Sequence, residues 1–299
     1  MIDSVNFGSS EDMTKVHVAA GHPEVRLDTT RSFIQAGQIK TAYYRQGKGR
    51  PLVLVHGGGA GADAAGNWQS CMPLLAPHFD VIAVDMVGFG HSDKPNPGTY
   101  QYNQAARAQH LADFIKALAI GPVSLVGNSM GGLTSLELAA RQPDLVTAMV
   151  LMGSAAIQTP TNPALQSILN YDFSREGMRA IIKNLTNQSF EVDEQMLDYR
   201  YKLSIEPDAK AAYIGQQNWI RERKGLYTDE DVIRAVRVPT LIISGKEDRV
   251  VPVSSAYRML ELIPQAWGKI FPNCGHWAMI EHPRAFCMTV MQFFDDAQI

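Results

Sequence analysis

Short apolar, β-branched-rich runs punctuate the chain: Leu52-Val53-Leu54-Val55, Val81-Ile82-Ala83-Val84, Val123-Ser124-Leu125-Val126, Ala148-Met149-Val150-Leu151 and Thr240-Leu241-Ile242-Ile243. Runs without polar alternation suit strands buried on both faces, which predicts a mainly parallel sheet. Ahead of them, residues 33–39 and 41–44 around Ala36-Gly37 predict an opening hairpin, and residues 268–271 are strand-like. Between the runs the period changes to helical. Ala108, Leu111, Ala112, Ile115 and Leu118 form one stripe in Gln104 to Leu118, and Leu133, Leu136 and Ala140 form another in Leu133 to Arg141. Alternating strands and helices predict an α/β fold with right-handed crossovers and helices on both faces of the sheet.

The alternation stops between residues 154 and 231, where Met178, Met196, Tyr199, Tyr201, Tyr213 and Trp219 lie among charged residues. This interval, entered at Pro160 and Pro163, is predicted to be a helical lid inserted into a core of residues 24–153 and 232–299. Residues 1–23 show little periodicity and read as an N-terminal arm. There are no internal repeats and no low-complexity tract.

The composition narrows the function. Of 299 residues, 45% are hydrophobic and 19% charged, enough for a sizeable core and against general disorder. Lys and Arg number 27 against 30 Asp and Glu, a net charge of −3, so no basic face for nucleic acid or anionic lipid is expected. The expected partner is a small molecule. Cys71, Cys274 and Cys287 contain no C-x-x-C pair, so neither a disulfide framework nor a thiolate metal site is encoded. With no membrane-length apolar run and no leader-like start, the expected location is the cytoplasm.

The chemistry is concentrated at predicted strand ends. Gly127-Asn128-Ser129-Met130-Gly131 matches G-x-S-x-G directly after a strand and before a helix, the context of a nucleophile elbow. The alternative is an ordinary turn with Ser129 as a helix N-cap. A serine nucleophile needs a base and an acid that orients it. Asp248 follows the run at residues 240–243, and His276 follows residues 268–271, so the chain order is Ser, Asp, His. Glu247 is the competing acid. Asp85 ends an earlier strand and is expected to organise the loop Gly88-Phe89-Gly90-His91-Ser92, while His91, His110 and His282 are read as structural or surface residues. His56-Gly57-Gly58-Gly59 after the first parallel strand fits an oxyanion loop, with the N–H groups of Gly58 and Met130 as donors. No Gly-Lys-Ser/Thr follows it, so it does not cradle phosphate.

From about residue 30 onward the chain therefore resembles the α/β-hydrolase superfamily. His56-Gly57-Gly58-Gly59-Ala60-Gly61, Asn67, Gly127-Asn128-Ser129-Met130-Gly131-Gly132 and Gly275-His276-Trp277-Ala278 resemble the meta-cleavage product hydrolases, which cut carbon–carbon bonds in ring-fission products of aromatic catabolism. The resemblance is to the carbazole-pathway branch, which acts on a dienoate bearing an aminophenyl group. It implies hydrolysis of a 2-hydroxy-6-oxo-6-arylhexa-2,4-dienoate by Ser129, His276 and Asp248, with Arg200 in Met196-Leu197-Asp198-Tyr199-Arg200-Tyr201 binding the substrate. It further implies substrate contacts from Gly57, Asn67, Asn128 and Trp277, no cofactor, no metal, and a homodimer or higher homo-oligomer. Met178, Met196, Tyr199 and Tyr201 are expected to line a pocket for the aryl group.

Each of these residues has a plainer alternative. Arg200 could be a surface lid arginine paired with Asp198 or Glu194, Trp277 a core aromatic, and Asn128 simply part of the elbow. At the level of function, the same triad would serve an esterase or lipase, and the fold could also serve a noncatalytic ligand receptor. A haloalkane dehalogenase would be expected to carry aspartate in place of Ser129.

Overall fold

Alternate residues of the apolar runs point to opposite sides of one sheet, and each side is closed by helices. The computed structural model describes residues 31–160 and 162–299, so the predicted arm at 1–23 lies outside the described residues. The strands are β1 (Ser32–Ala36), β2 (Ile39–Gly47), β3 (Arg50–Val55), β4 (Phe79–Val84), β5 (Val123–Asn128), β6 (Val146–Met152), β7 (Thr240–Gly245) and β8 (Ala266–Phe271). They form an eight-stranded sheet in the order β1-β2-β4-β3-β5-β6-β7-β8. The β1–β2 and β2–β4 pairs are antiparallel, and every other pair is parallel.

The helices are α1 (Ala64–Trp68), α2 (Met72–Leu75), α3 (Gln104–Leu118), α4 (Met130–Arg141), α5 (Pro163–Leu169), α6 (Arg175–Leu185), α7 (Glu194–Ile205), α8 (Pro207–Arg223), α9 (Glu230–Arg234), α10 (Val253–Leu262), α11 (Ala278–Glu281) and α12 (Pro283–Asp296). On one face of the sheet Leu52, Leu54, Val81, Val126 and Val150 pack with Trp68, Met72, Phe286 and Phe294 from α1, α2 and α12. On the other face Val53, Val55, Ile82, Leu125 and Leu151 pack with Phe114, Leu133, Leu136 and Met259 from α3, α4 and α10. This two-sided burial is why the central strands read as unbroken apolar runs. No helix among the described residues is long and apolar enough to cross a membrane.

Helices α5 to α8 fill the interval between β6 and β7 where the alternation stops. Residue 231 falls inside α9, which packs against α4 and α10 of the core. Asp85 does organise the loop after β4, accepting hydrogen bonds from the backbone N–H groups of Ala64 (2.7 Å) and His91 (2.8 Å). Burial pushes its carboxyl up to about 7, with the nearby Asp63 adding to the shift.

The parallel strands bring the ends of β3, β5, β6, β7 and β8 to one edge, where the elbow is built on close backbone contact. A Cβ on Gly131 would lie 2.3 Å from the Val55 carbonyl oxygen and 2.5 Å from that of His56. Because both obstacles are backbone, no side-chain rotation relieves them. We expect Gly131→Ala to lower unfolding stability by about 1–3 kcal/mol or more, measured by denaturant titration, whereas an unchanged midpoint would show that β3 and α4 can separate at little cost.

Candidate active site

Ser129 takes the conformation an elbow demands, φ 55° and ψ −116°, a strained region for a residue with a side chain. It stands at the N-cap position of α4, yet its side chain makes no capping hydrogen bond. The plain N-cap reading therefore fails, and the hydroxyl is left for other work. Gly127 and Gly131 permit the turn, since a Cβ on Gly127 would come within 2.6 Å of the Gly131 carbonyl oxygen.

The acid and the base meet directly. His276 Nδ1 lies 2.7 Å from Asp248 Oδ2 in a fully buried contact. The other oxygen, Asp248 Oδ1, accepts from the N–H groups of Val250 (2.8 Å) and Val251 (2.9 Å), which fixes the plane of the carboxylate. Glu247 is turned away and accepts from the Cys274 N–H at 2.8 Å. His276 Nε2 is buried and has no hydrogen-bond partner among the described residues. With Nδ1–H held by the carboxylate, Nε2 is the basic nitrogen available to take a proton.

Two residues that sequence reasoning passed over hold this pair in place. Gly153, at the end of β6, has φ 53°, and a Cβ there would sit 2.9 Å from His276 Nδ1 and 3.3 Å from Asp248 Oδ2. Glu281 stakes the histidine loop, accepting from the N–H groups of Gly275 (2.9 Å) and Asn187 (2.7 Å). Neither has a sequence signal, because Gly153 acts through an absent side chain and Glu281 ties its own loop to Asn187, a residue distant in the chain.

The oxyanion loop is held from both ends. His56 Nε2 accepts from the Met86 N–H at 3.0 Å, which leaves Nδ1–H to donate to the Gly57 carbonyl at 2.7 Å. Burial lowers the His56 pKa to about 4, so the ring stays neutral and keeps this tautomer near pH 7. His110 is likewise structural, placed between Thr41 Oγ1 (2.8 Å) and the Val87 N–H (3.2 Å). Met130 opens α4, so its N–H belongs to the first turn, where donors have no intrahelical acceptor.

A cavity connects these groups, lined by Gly57, Gly58, Asn67, Asn128, Ser129, Met130, Arg200, His276 and Trp277. Of the predicted catalytic, oxyanion-loop and dienoate-contact residues, all but the buried Asp248, which sits behind His276, thus border one space. Asn67 Oδ1 and Asn128 Oδ1 are buried with no partner among the described residues, while Asn128 Nδ2 donates to the Met152 (3.1 Å) and His276 (3.3 Å) carbonyls. Asn128 therefore ties the elbow to the histidine loop and still presents one acceptor.

Arg200 departs furthest from its plain alternative. Asp198 and Glu194 are bound instead by Arg175, at 2.7 and 2.6 Å, and Arg200 is only 2% exposed. Its Nη2 donates to the Ala60 carbonyl at 3.0 Å, and its guanidinium lies 4.8 Å from the Trp277 ring centroid. Nε and Nη1 are buried with no hydrogen-bond partner among the described residues. Burial lowers its pKa to about 10, offset in part by the nearby Asp63, so it remains a cation at neutral pH. Asp63 itself accepts from the Tyr199 hydroxyl and the Gly66 N–H.

The pocket wall differs from the one expected. Met178 and Tyr199 are absent from the lining, as are Met196 and Tyr201. Met178 is fully buried in the core shared by lid and sheet, and Met196 and Tyr201 pack against that core. Their helical spacing reflects lid packing. The apolar lining comes instead from Ile157, Leu165, Ile168, Ile220, Leu226 and Val251, joined by Gln216 and Gln217.

From the His276–Asp248 contact we propose Asp248, and not Glu247, as the acid. Asp248→Asn is expected to leave folding intact and to lower kcat on the order of 10³-fold or more, as Ser129→Ala should, with Glu247→Gln close to the parent. A matched kinetic comparison checks this, and the reverse ranking of the two acid variants would identify Glu247 as the partner of His276.

The profile of the alpha/beta hydrolase family matches residues 52–289. The 2-hydroxy-6-oxo-6-(2'-aminophenyl)hexa-2,4-dienoic acid hydrolase of Metapseudomonas resinovorans is 49% identical over 262 residues, 87% of this chain and 89% of that one. The 2-hydroxymuconate semialdehyde hydrolase of Pseudomonas sp. (strain CF600) is 35% identical, over 92% of this chain and 97% of its own length. Among solved structures, a serine hydrolase involved in carbazole degradation superposes with a TM-score of 0.83 at 47% identity, covering 89% of this chain and 99% of that chain.

Proposed function

The chain belongs to the alpha/beta hydrolase family, in the branch of the meta-cleavage product hydrolases, and from that premise we propose that it hydrolyses the C5–C6 bond of a 2-hydroxy-6-oxo-6-arylhexa-2,4-dienoate. The products are 2-hydroxypenta-2,4-dienoate and an aromatic carboxylic acid. The observation that carries this reading is Arg200, a buried cation with two nitrogens that have no hydrogen-bond partner among the described residues, on the same cavity as Ser129 and His276. An ester hydrolase has no use for a desolvated guanidinium beside its triad, but a dienoate brings a carboxylate and a 2-oxygen that a forked donor matches.

In this reading the carboxylate and 2-oxygen bind Arg200, backed by the Trp277 ring and assisted by Asn67 and Asn128. The 2-hydroxyl loses its proton and C5 gains one, with His276 as the proton carrier, so that the dienol becomes a 2-ketone conjugated with the C3–C4 double bond, with a tetrahedral C5 beside it. Ser129, or a water it activates, then adds to C6 while His276 takes the nucleophile's proton. The oxyanion is stabilised by the Gly58 and Met130 N–H groups, next to Gly57. Its collapse breaks the C5–C6 bond, and the electron pair flows into the conjugated ketone to give the dienolate. Addition of water across the bond balances the reaction, with no cofactor or metal required.

The aryl group occupies the apolar wall of Ile157, Leu165, Ile168, Ile220 and Leu226. Gln217, whose Oε1 is buried with no partner among the described residues, borders the same cavity and offers an acceptor to an amino substituent on the ring. The partner is thus a small aromatic dienoate, and the protein is proposed to work as a cytoplasmic homodimer or higher homo-oligomer.

Assays on dienoates bearing methyl, phenyl and 2-aminophenyl groups at C6 test the reading. The aryl substrates should exceed the methyl one by at least about tenfold in kcat/KM, since burying a ring instead of a methyl group readily contributes more than ~1.4 kcal/mol. Arg200→Gln should depress all three by similar factors, and Gln217→Leu should selectively lower the 2-aminophenyl value. A preference for the methyl substrate, or full activity in Arg200→Gln, would contradict the assignment.

A further inference from the structure

The oxyanion loop is made of consecutive glycines, Gly57-Gly58-Gly59, which have no side chains of their own to hold their peptides in one orientation. A preorganised donor needs those peptides fixed before the reaction begins. The peptide carrying the Gly58 N–H is fixed through its carbonyl, Gly57 O, by His56 Nδ1 at 2.7 Å. The next peptide is fixed from a different part of the protein: Gln216 Nε2, on α8 of the lid, donates to the Gly58 carbonyl at 2.9 Å. Gly58 is therefore gripped on both sides of its Cα.

The Gln216 amide is itself oriented. Its Oε1 accepts from Arg107 Nη2 at 3.2 Å, so the NH₂ end must face Gly58. Arg107, on α3 of the core, is 2% exposed and makes no ion pair among the described residues. Its other acceptors are the Tyr102 carbonyl (3.0 Å) and Gln104 Oε1 (3.2 Å), and its guanidinium lies 5.2 Å from the ring of Trp219, which is also on α8. Burial lowers its pKa to about 10, so it keeps its charge at neutral pH. A core cation thus anchors a lid glutamine, and the lid glutamine sets a peptide of the catalytic loop.

We propose that Gln216 is a positioning residue for C–C cleavage, holding the oxyanion loop in its working conformation from the lid, with Arg107 as its anchor. The consequence is that seating of α8 and competence of the oxyanion loop are one event. This inference rests on the dienoate reading above, in which ketonisation precedes cleavage and only the second step builds an oxyanion at C6.

The discriminating variant is Gln216→Glu. A carboxylate keeps an acceptor for Arg107, and so keeps α8 docked, but replaces the donor to the Gly58 carbonyl with a repelling oxygen. Rapid-mixing absorbance on the phenyl dienoate resolves loss of the dienol from decay of the ketone. We expect Gln216→Glu to melt with the parent and to slow cleavage by on the order of 10–100-fold more than it slows ketonisation. Cleavage at the parent rate, or equal slowing of both steps, would overturn the positioning role. Gln216→Met, which is uncharged and similar in length, puts the same question if the glutamate variant fails to fold: cleavage slowed more than ketonisation supports the proposal, and parity overturns it. Failure of the functional reading is distinct, because the parent protein would then not turn over the dienoate at all.

Discussion

A guanidinium taken out of water costs several kcal/mol unless its charge and its N–H groups are met inside the protein. Arg200 is met only in part, by one carbonyl, one aromatic face and the more distant field of Asp63. The chain of contacts around it explains several features at once. Asp63 is held by Tyr199, the neighbour of Arg200 on α7, and by Gly66 on α1. The oxyanion loop passes so close that a Cβ on Gly61 would lie 2.0 Å from the Arg200 carbonyl oxygen. Lid helix, catalytic loop and cation are therefore packed as a unit, and the remaining unpartnered N–H groups define where an anionic ligand gains most by binding.

Opposite that cation stands a second stored cost, the strained backbone of Ser129. The sheet supports it: β3 and β5 run side by side, Gly127 and Gly131 let backbone meet backbone with no intervening side chain, and Gly132 makes room for the Ser154 side chain. Rigid strand ends therefore present Ser129, Asp248 and His276, the proposed nucleophile, acid and base, while the lid supplies the cation and much of the apolar wall. This division suits chemistry in which one end of the substrate must be held still while a bond several atoms away is broken.

Much of this is written in local sequence. The central strands and α3 can be read because burial on two faces and on one stripe leave different periods, and α3 spans Gln104–Leu118 as its stripe predicts. The elbow is legible because the turn requires glycine at fixed offsets from Ser129. The His276–Asp248 contact follows from strand ends, although only the structure separates Asp248 from Glu247, since adjacent residues in a loop can turn either way. The pocket wall was misread because apolar residues at helical spacing on α6 and α7 serve the lid core as readily as a cavity. Gly153, Gln216 and Gln217 were invisible for another reason. Gly153 and Gln216 act through contacts with residues far away in the chain and Gln217 through the cavity it borders, and nothing beside them in the sequence marks either.

In the proposed orientation the carboxylate lies at the lid cation and the scissile carbonyl at the elbow. A crystal structure of the Ser129→Ala protein soaked with a phenyl dienoate tests this directly. Carboxylate oxygens are expected within about 3 Å of Arg200 Nε and Nη1, with the C6 oxygen directed at the Gly58 and Met130 N–H groups and the ring against Ile168 and Ile220. A ligand bound in reverse, with its ring against Arg200 and its carboxylate beside His276, would contradict it.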